Sequence, residues 1–237
     1  MKSLFFGLAA VMFNAATPAY AEQSANPSFD CGKARAQDEH AICSDSRLAE
    51  LDQAVSIAYG QAERQFKDET RALARDALAA RHSCGDDRLC ILDQQAIAIT
   101  TLSNLGSKVP VPPWVASYRV ELFKGRSEPA TQTLPNHIGK CAITKIASIS
   151  TRFGEELKPE VDGGTAVSFA NGGQQISYDY ESDVAQSHIG NEVLLCLVSV
   201  PKDCPPGDDR GKLYSATNLK TMGSWLLPDA QHSCGGA

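Results

Sequence analysis

The sequence lacks the motifs that usually mark an enzyme or a metal site. No G-x-S-x-G segment surrounds a serine nucleophile, and neither a C-x-x-C pair nor a histidine pair with zinc-finger spacing is present. The five histidines are scattered among loop and helix-end contexts, which is typical of solvated imidazoles. These absences predict a protein that is not an enzyme and that carries no metal and no cofactor.

Clustered positive charge is also lacking. The chain has 22 lysine and arginine residues against 28 aspartate and glutamate residues, a formal net charge of −6. Phosphate binding draws its affinity from clustered lysine and arginine, so we predict no nucleic-acid partner. An acidic surface can instead speed encounter with a basic protein, although it also serves solubility alone.

Long apolar runs are absent except at the N-terminus. Met1-Lys2-Ser3 carries one positive charge and precedes the apolar run Leu4 to Phe13, and Ala19-Tyr20-Ala21 then fits a cleavage site. The run is far shorter than the roughly 20 residues that cross a bilayer. We therefore predict that residues 1–21 are a signal peptide, that the mature chain has no membrane span, and that it is periplasmic or secreted. Removal of Lys2 leaves 21 basic and 28 acidic side chains, a charge of −7.

Eight cysteines follow the predicted cleavage site: Cys31, Cys43, Cys84, Cys90, Cys141, Cys196, Cys204 and Cys234. An even number behind an export signal predicts disulfides formed in an oxidising compartment. Four precede a proline-rich segment and four follow it, so we predict that pairs form within each half. In the first half, two local bridges, Cys31 to Cys43 and Cys84 to Cys90, compete with two crossed bridges, and we favour the local pairs.

The first half of the chain has the periodicity of helices. Apolar residues recur at three- and four-residue steps in three stretches: Leu48 to Ala62, Thr70 to His82 and Leu92 to Leu105. Ser44-Asp45-Ser46 supplies side-chain oxygens that can cap the first stretch, and Gly85-Asp86-Asp87 marks the turn before the third. These patterns predict a disulfide-stapled three-helix module over residues 26–105.

The proline-rich segment separates this half from the rest. Residues 106–116, which include Pro110, Pro112 and Pro113, cannot continue a helix and are predicted to be a linker. Residues 117–237 then hold short β-prone runs divided by turn residues: Tyr118 to Phe123, Cys141 to Ser150, Ala166 to Phe169, Gln175 to Tyr180 and Val193 to Val200, with a closing segment from Leu213 to Leu227. They predict a small β-barrel or β-sandwich module, and an α+β fold for the whole chain.

Two of these segments carry a sharper signal. Asn171-Gly172-Gly173 lies between two runs and predicts a hairpin, because positive φ angles cost little at Asn and Gly. The run Val193 to Val198 has no alternation of apolar and polar residues, which predicts a strand buried on both faces.

The C-terminal segment combines turn formers, both charge signs and an aromatic residue. A bridge from Cys204 to Cys234 would hold it as a rigid loop. Arg210, Trp225 and His232 are its candidate binding residues, since arginine and tryptophan are favoured anchors at interfaces. The alternative is that Trp225 belongs to the core, as tryptophan commonly does.

Four short segments around the cysteines of the first half occur in a characteristic order: Phe29 to Ala34, Glu39 to Cys43, Leu48 to Asp52 with Ala58-Tyr59, and Arg81 to Gly85 with Cys90. Together they resemble the lysozyme inhibitor LprI-type domain, formerly a domain of unknown function, over roughly Asn26 to Leu105. The resemblance implies an exported helical domain and, in part of that family, inhibition of lysozyme by direct binding. The second half resembles C-terminal modules of uncharacterised exported bacterial proteins, which implies no activity.

The chain departs from the family pattern at three positions. Ala77 stands where a tryptophan is expected before the Arg81 motif, and Gln95 and Ala98 stand where a tyrosine and an arginine are expected after the fourth cysteine. The apolar stripes and the cysteines remain, so the resemblance still implies the helical fold. We carry no functional residue over from the family.

Two functional hypotheses follow. In the first, the chain is an exported binding protein that inhibits lysozyme or another cationic hydrolase of the cell envelope, with the acidic helical module approaching the basic enzyme. In the second, it is an envelope enzyme, or a structural or interaction protein, with its site in the β module. A continuous acidic patch on the helices would favour inhibition, and a pocket with converging histidine and aspartate side chains would favour an enzyme.

Overall fold

The first half of the chain is helical in the computed structural model, which describes residues 26–126 and 132–236. A 3-10 turn at Cys31–Lys33 is followed by four helices: α1 (Gln37–Cys43), α2 (Ser46–Glu63), α3 (Lys67–His82) and α4 (Arg88–Asn104). The three predicted helices are α2, α3 and α4, so the predicted count of three is too low. The predicted signal peptide, residues 1–21, lies outside the described residues.

Aspartate side chains cap the N-termini of two of these helices, α2 and α4. Asp45 Oδ1 accepts hydrogen bonds from the backbone N–H groups of Arg47 and Leu48, at 3.1 Å each. Asp87 Oδ1 does the same for the first turn of α4. The caps satisfy N–H groups that have no partner within the helix. The predicted helix start at Ser44-Asp45-Ser46 and the predicted turn before α4 are therefore confirmed.

A fifth helix, α5 (Trp114–Lys124), stands where the sequence predicts a strand over Tyr118 to Phe123. The strand prediction is wrong, because tertiary packing overrides the β propensity of these residues. Val115, Tyr118 and Val120 are buried against α2 and α4 in one apolar cluster. Pro113 occupies the N-cap position, where its fixed φ suits a helix start. The proline-rich segment thus leads directly into a helix that belongs to the helical layer.

The second half is one antiparallel sheet of six strands: β1 (Cys141–Ser150), β2 (Thr165–Phe169), β3 (Gln174–Ser177), β4 (Glu192–Ser199), β5 (Leu213–Asn218) and β6 (Ser224–Pro228), with a short helix α6 (Ser182–Ala185) before β4. Their order is β3-β2-β1-β4-β5-β6. The α+β class is confirmed, and so is the hairpin at Asn171-Gly172-Gly173, where Gly172 has a φ of +86°. A single sheet excludes the predicted two-sheet sandwich.

The sheet curls into a half-barrel, and a buried glutamine joins its two ends. Gln175 on the terminal strand β3 is fully buried, and its Nε2 donates to the carbonyl oxygens of Tyr214 (2.7 Å) and Leu227 (3.0 Å) on β5 and β6. Its Oε1 accepts from Trp225 Nε1 at 2.8 Å. Side-chain hydrogen bonds therefore connect β3 to β5 and β6 where the predicted barrel would have strand pairing.

Strand β4 is buried on both faces, as its uninterrupted apolar run predicts. Leu194, Cys196 and Val198 pack with the helices in one cluster. Val193, Leu195 and Leu197 lie in a second cluster inside the half-barrel. The helical layer and the sheet thus share a hydrophobic core across β4, while the division of the chain into domains at residues 106–116 stays a prediction.

A buried ion pair also links the helices to the sheet. Arg119 on α5 donates from Nε to Asp93 Oδ1 on α4 at 2.7 Å, and both side chains are only 4% exposed. The Arg119 guanidinium further donates to the hydroxyls of Thr217 (3.1 Å) and Ser224 (2.6 Å). Burial raises the pKa of Asp93 more than Arg119 lowers it, so the carboxylate depends on this partner. The ion pair therefore joins α4 to α5, and hydrogen bonds from the same guanidinium attach these helices to β5 and β6.

All eight cysteines form disulfides, and none bridges the two halves: Cys31–Cys43, Cys84–Cys90, Cys141–Cys196 and Cys204–Cys234. The predicted pairing within each half is confirmed, including the local pairs. Four disulfides indicate an oxidising compartment outside the cytoplasm. Within the described residues, no helix is long and apolar enough to span a bilayer.

Candidate functional site

Trp225, one of the three candidate binding residues, lies in the interior. It is 5% exposed, packs inside the half-barrel and donates to Gln175. A buried indole cannot anchor a partner, so the predicted surface does not include Trp225. The alternative interpretation, that Trp225 belongs to the core, is the correct one.

Arg210 is exposed but is paired within its own loop. Its Nε and one terminal nitrogen each donate to the carboxylate of Asp208 at 2.8 Å. Hydrogen bonds from Arg210 and from the backbone N–H of Gly235 hold the pKa of Asp208 well below its usual range. The Cys204–Cys234 disulfide closes this loop, as the sequence predicts. The positive charge of Arg210 is therefore balanced locally.

His232 leads to a different surface. Its ring centroid lies 6.3 Å from that of Tyr178, and both residues are exposed. Tyr178 follows β3 directly, in the segment that connects β3 to β4. Of the three candidate residues, His232 is the one that lies beside exposed aromatic side chains.

Three connections leave the sheet at the end where Tyr178 lies. In an antiparallel sheet the carboxyl end of each strand lies beside the amino end of its neighbour. The pairing of Ser150 with Ala166 and of Val193 with Asn218 shows this arrangement. We call the three connections, residues 151–164, 178–191 and 219–223, the loop face.

Hydrogen bonds fasten the three parts of the loop face to one another. Thr165 Oγ1 donates to the carbonyl of Asp179 and accepts from the backbone N–H of Glu181, both at 2.9 Å. The N–H of Ser224, just after the β5–β6 turn, donates to Asp183 Oδ2 at 3.1 Å. At Gly164, with a φ of +61°, a Cβ would lie 2.3 Å from the carbonyl oxygen of Ser177, so this close approach requires glycine. Contacts within the chain therefore fix the positions of the three connections relative to one another.

The loop face is acidic. It holds seven carboxylates against three basic side chains, Arg152, Lys158 and Lys220; the carboxylates are Glu155, Glu156, Glu160, Asp162, Asp179, Glu181 and Asp183. Residues 26–105 hold 13 acidic and nine basic side chains, and four of the acids are buried: Asp38, Asp45, Asp52 and Asp93. The excess of negative surface charge therefore lies on the loop face, whereas the sequence-based hypothesis places it on the helices.

Large apolar side chains are exposed on the same surface: Phe153, Tyr178, Tyr180, Ile189 and Met222. Phe153 is 69% exposed. The guanidinium of Arg152 lies 4.1 Å from the ring centroid of Tyr178 and 5.0 Å from that of Phe153. Such cation–π contacts hold both rings in place. Exposed apolar groups rimmed by charge are typical of protein interaction sites.

A cleft of about 580 Å³ borders the loop face where it meets Pro112 and α5. Glu181, Asp183 and the buried Arg119 contribute to its walls. Burial and the nearby carboxylates raise the pKa of Glu181 against the effect of a hydrogen bond from Ser177. Among the described residues that line the cleft, none is a histidine. The converging histidine and aspartate expected for an enzyme in the β module are not brought together here.

The Arg81 motif of the family resemblance joins three helices. Arg81 donates from Nε to Asp38 Oδ2 (2.7 Å) on α1 and from a terminal nitrogen to Asp52 Oδ1 (2.9 Å) on α2. His82 Nδ1 lies 2.7 Å from Asp38 Oδ1. Burial raises the pKa of Asp38, but hydrogen bonds from His82 and Arg81 outweigh it and leave the pKa lowered. The Arg81 and His82 side chains are therefore fully explained by the contacts with which they stabilise the packing of α1, α2 and α3.

Asp38→Asn is expected to lower the free energy of unfolding by about 1.5–3 kcal/mol at neutral pH, the range for hydrogen bonds to charged groups. Because the pKa is lowered in the folded state, the carboxylate stabilises the fold fully above its ordinary value of 3.8. That contribution is lost as the pH falls through the folded-state pKa. Urea titrations of parent and variant should therefore converge below pH 3.8. Asp76→Asn, at an exposed carboxylate on α3, is the control and should change stability by less than about 0.5 kcal/mol. A difference that is constant with pH would contradict this role for Asp38.

Sequence reasoning missed the loop face. Phe153 and Tyr178 are separated by 24 intervening positions in the chain and become neighbours only through the pairing of β1, β2 and β3. A local signal was available. Glu155-Glu156 lies close to Phe153 between two predicted strands, and Asp179-Tyr180-Glu181 places acids beside an aromatic residue at the end of a third. Comparison with family models, curated proteins and solved structures finds no match.

Proposed function

We propose that the chain is an exported binding protein that recognises a basic protein through the loop face, and that lysozyme is the first partner to test. The observation that carries the proposal is that five exposed carboxylates, two half-buried ones (Glu181 and Asp183) and five exposed large apolar side chains lie on the loop face. The resemblance of residues 26–105 to the LprI-type domain supports the choice of lysozyme or another cationic hydrolase. Export to the periplasm or beyond the cell, through the predicted signal peptide, would bring the chain to such an enzyme.

Each kind of side chain has a separate role in this proposal. The carboxylates attract a basic partner over distances up to about the Debye length, roughly 8–10 Å at physiological salt, and so raise the association rate. Phe153 and Tyr178 supply apolar area at the centre of contact, where aromatic residues contribute most of the binding energy. The hydrogen bonds that order the loops reduce the entropy lost on binding. The helical layer then serves as a support for the sheet.

Neutralising Glu155, Glu160 and Asp162 together as E155Q, E160Q and D162N is expected to weaken binding to lysozyme on the order of tenfold at low ionic strength. All three are exposed, so the fold should be unaffected. The loss should appear mainly in the association rate and should shrink as salt screens the charges. Surface plasmon resonance at several salt concentrations, with inhibition of lysozyme activity as a second readout, measures both effects.

The matched control removes the same charge from helix α3 through D68N, E69Q and D76N, all at exposed positions. It should leave binding within about twofold of the parent, because an exposed charge far from an interface contributes little to affinity.

A second pair of variants tests the apolar side chains. Phe153→Ala is expected to weaken binding at least about fivefold. Its control is Ile57→Ala, at an exposed apolar residue on α2. If the α3 variant is the one that loses affinity, the contact lies on the helices and the loop face is not the site. If the parent binds no lysozyme at any salt concentration, this choice of partner is wrong.

A further inference from the structure

The cleft of about 580 Å³ that borders the loop face combines apolar surface with charge. The proline-rich segment and β6 contribute apolar surface to it at Pro112, Pro113 and Leu226. Glu181 and Asp183, at the start of α6, add two carboxylates. A volume of this size is within the range of pockets that hold small ligands. The cleft is therefore large enough to take a molecule of its own.

Arg119 brings free N–H groups to this cleft. The residue is 4% exposed, and its Nε and Nη1 donate to Asp93, Thr217 and Ser224. Its Nη2 has no acceptor among the described residues, yet it is not enclosed by protein. Because Arg119 lines the cleft, these N–H groups can reach a molecule bound there. The charge of Arg119 is already balanced by Asp93, so a neutral acceptor such as a carbonyl oxygen suits Nη2.

The two carboxylates of the cleft have no positive partner. Glu181 Oε1 accepts from the hydroxyl of Ser177 at 3.0 Å, and Asp183 Oδ2 accepts from the N–H of Ser224 at 3.1 Å. In the part of the chain that the structure describes, no basic side chain forms an ion pair with either one. Asp183 Oδ1 is open to solvent, and a Cβ on Gly223 in the cleft wall would lie 3.3 Å from it. The cleft therefore presents an accessible, uncompensated negative charge.

Ser224 connects the donor to the carboxylate. Its hydroxyl accepts from Arg119 Nη1 at 2.6 Å, and its backbone N–H donates to Asp183. The guanidinium and the carboxylate therefore lie on two sides of one residue. The complementary pair in a ligand is a carbonyl oxygen and an ammonium group. The first residue of a peptide carries both, about 3 Å apart, and capture of an N-terminal amine is a recurring mode of peptide recognition.

We propose that this cleft binds the free amino terminus of a peptide that begins with an apolar residue. The ammonium group bonds Asp183, and Glu181 adds to the negative charge that attracts it. The first carbonyl oxygen accepts from Arg119 Nη2, and the first side chain packs against Pro112 and Leu226. The proposal does not depend on lysozyme binding, because it requires neither the aromatic residues nor the exposed carboxylates of the loop face.

The test compares L-leucinamide with three analogues that each lack one of these groups. N-acetyl-L-leucinamide lacks the charge, 3-methylbutylamine lacks the carbonyl, and glycinamide lacks the apolar side chain. Titrations of the oxidised chain at about pH 6.5, where the amino groups are charged, are followed in ¹⁵N-resolved NMR spectra. Each analogue should bind at least about fivefold more weakly than L-leucinamide, since a site built to bond a group rejects analogues that lack it. The backbone amide signals of Gly223 and Ser224 should shift most.

A variant then tests the carboxylate directly. Asp183→Asn keeps an acceptor for the N–H of Ser224 but removes the charge, so it should weaken L-leucinamide at least about tenfold and leave N-acetyl-L-leucinamide within about twofold. Asp76→Asn, the same substitution at an exposed position on α3, should change neither. Equal binding of L-leucinamide and any of the analogues, full affinity in Asp183→Asn, shifts located away from the cleft, or no binding of L-leucinamide by the parent would each overturn the proposal.

Discussion

Arg119→Met is expected to lower the free energy of unfolding by about 3–5 kcal/mol, the usual cost of removing one partner from a buried ion pair. The substitution leaves the Asp93 carboxylate buried without its counter-charge, and burial already raises the pKa of that group. The hydroxyls of Thr217 and Ser224 lose their hydrogen bonds from the guanidinium at the same time. Urea unfolding followed by circular dichroism measures the change.

Two further variants separate charge from packing. Asp93→Leu combined with Arg119→Met removes both charges, and its stability should return to within about 1–2 kcal/mol of the parent, because apolar replacement of a whole buried pair is often neutral. Arg126→Met breaks a more exposed pair with Asp87 and should cost less than about 1 kcal/mol. A cost below 1 kcal/mol for Arg119→Met, or a double variant as unstable as the single one, would show that the pair does not hold the helices to the sheet.

Residues 26–109 and 110–237, produced as separate chains, are expected to lose cooperative unfolding altogether. Separation would expose Leu194 and Val198 of β4, which pack with the helices in the shared core. It would also leave Asp93 without Arg119, and Gln94 Nε2 without the carbonyl of Val198, which it bonds at 2.7 Å. Thermal melts and amide NMR dispersion of each fragment measure the loss.

The matched control keeps the same residues in one folding unit. A protease site inserted between Val109 and Pro110 of the intact chain should be cut after folding without releasing the pieces, so the nicked protein should elute as one species from a gel-filtration column. Two independent cooperative transitions, or release of two stable fragments, would instead support the predicted domain boundary at residues 106–116.

Local patterns were enough to predict the elements that are defined by a single segment. The stripes of α2 and α4 indicate helices because every third or fourth residue is apolar, and the run Val193 to Val198 indicates a doubly buried strand because alternation is missing. The even number of cysteines in each half predicts that pairs form within it, while the local pairs Cys31–Cys43 and Cys84–Cys90 were favoured over crossed pairs without a pattern that excludes the latter. In each case the signal lies within a few tens of residues of sequence.

Features that arise between segments were not predictable in this way. The segment Tyr118 to Phe123 is rich in β-prone residues, yet α5 forms because Tyr118 and Val120 find an apolar surface on the other helices. The loop face depends on the register of six strands, which no single segment encodes. Trp225 is a surface candidate by residue type, since tryptophan is a favoured anchor at interfaces. Its core partner Gln175 lies 50 positions away, so no local pattern reveals the contact. Site residues on loops of a sheet therefore need the topology before they can be grouped.

The hydrogen bonds of Gln175 and Gln174 bear on how the chain behaves at high concentration. Strands β3 and β6 terminate the sheet, and unpaired strand edges are templates on which a second molecule can add its own strand. The Leu227 carbonyl is occupied by Gln175 Nε2, and Gln174 Nε2 covers the carbonyl of Asp229 at 3.1 Å. Curling brings the two edges together, so each shields the other from solvent and from neighbouring chains. A sheet that stops halfway to a closed barrel can in this way remain resistant to edge-to-edge aggregation.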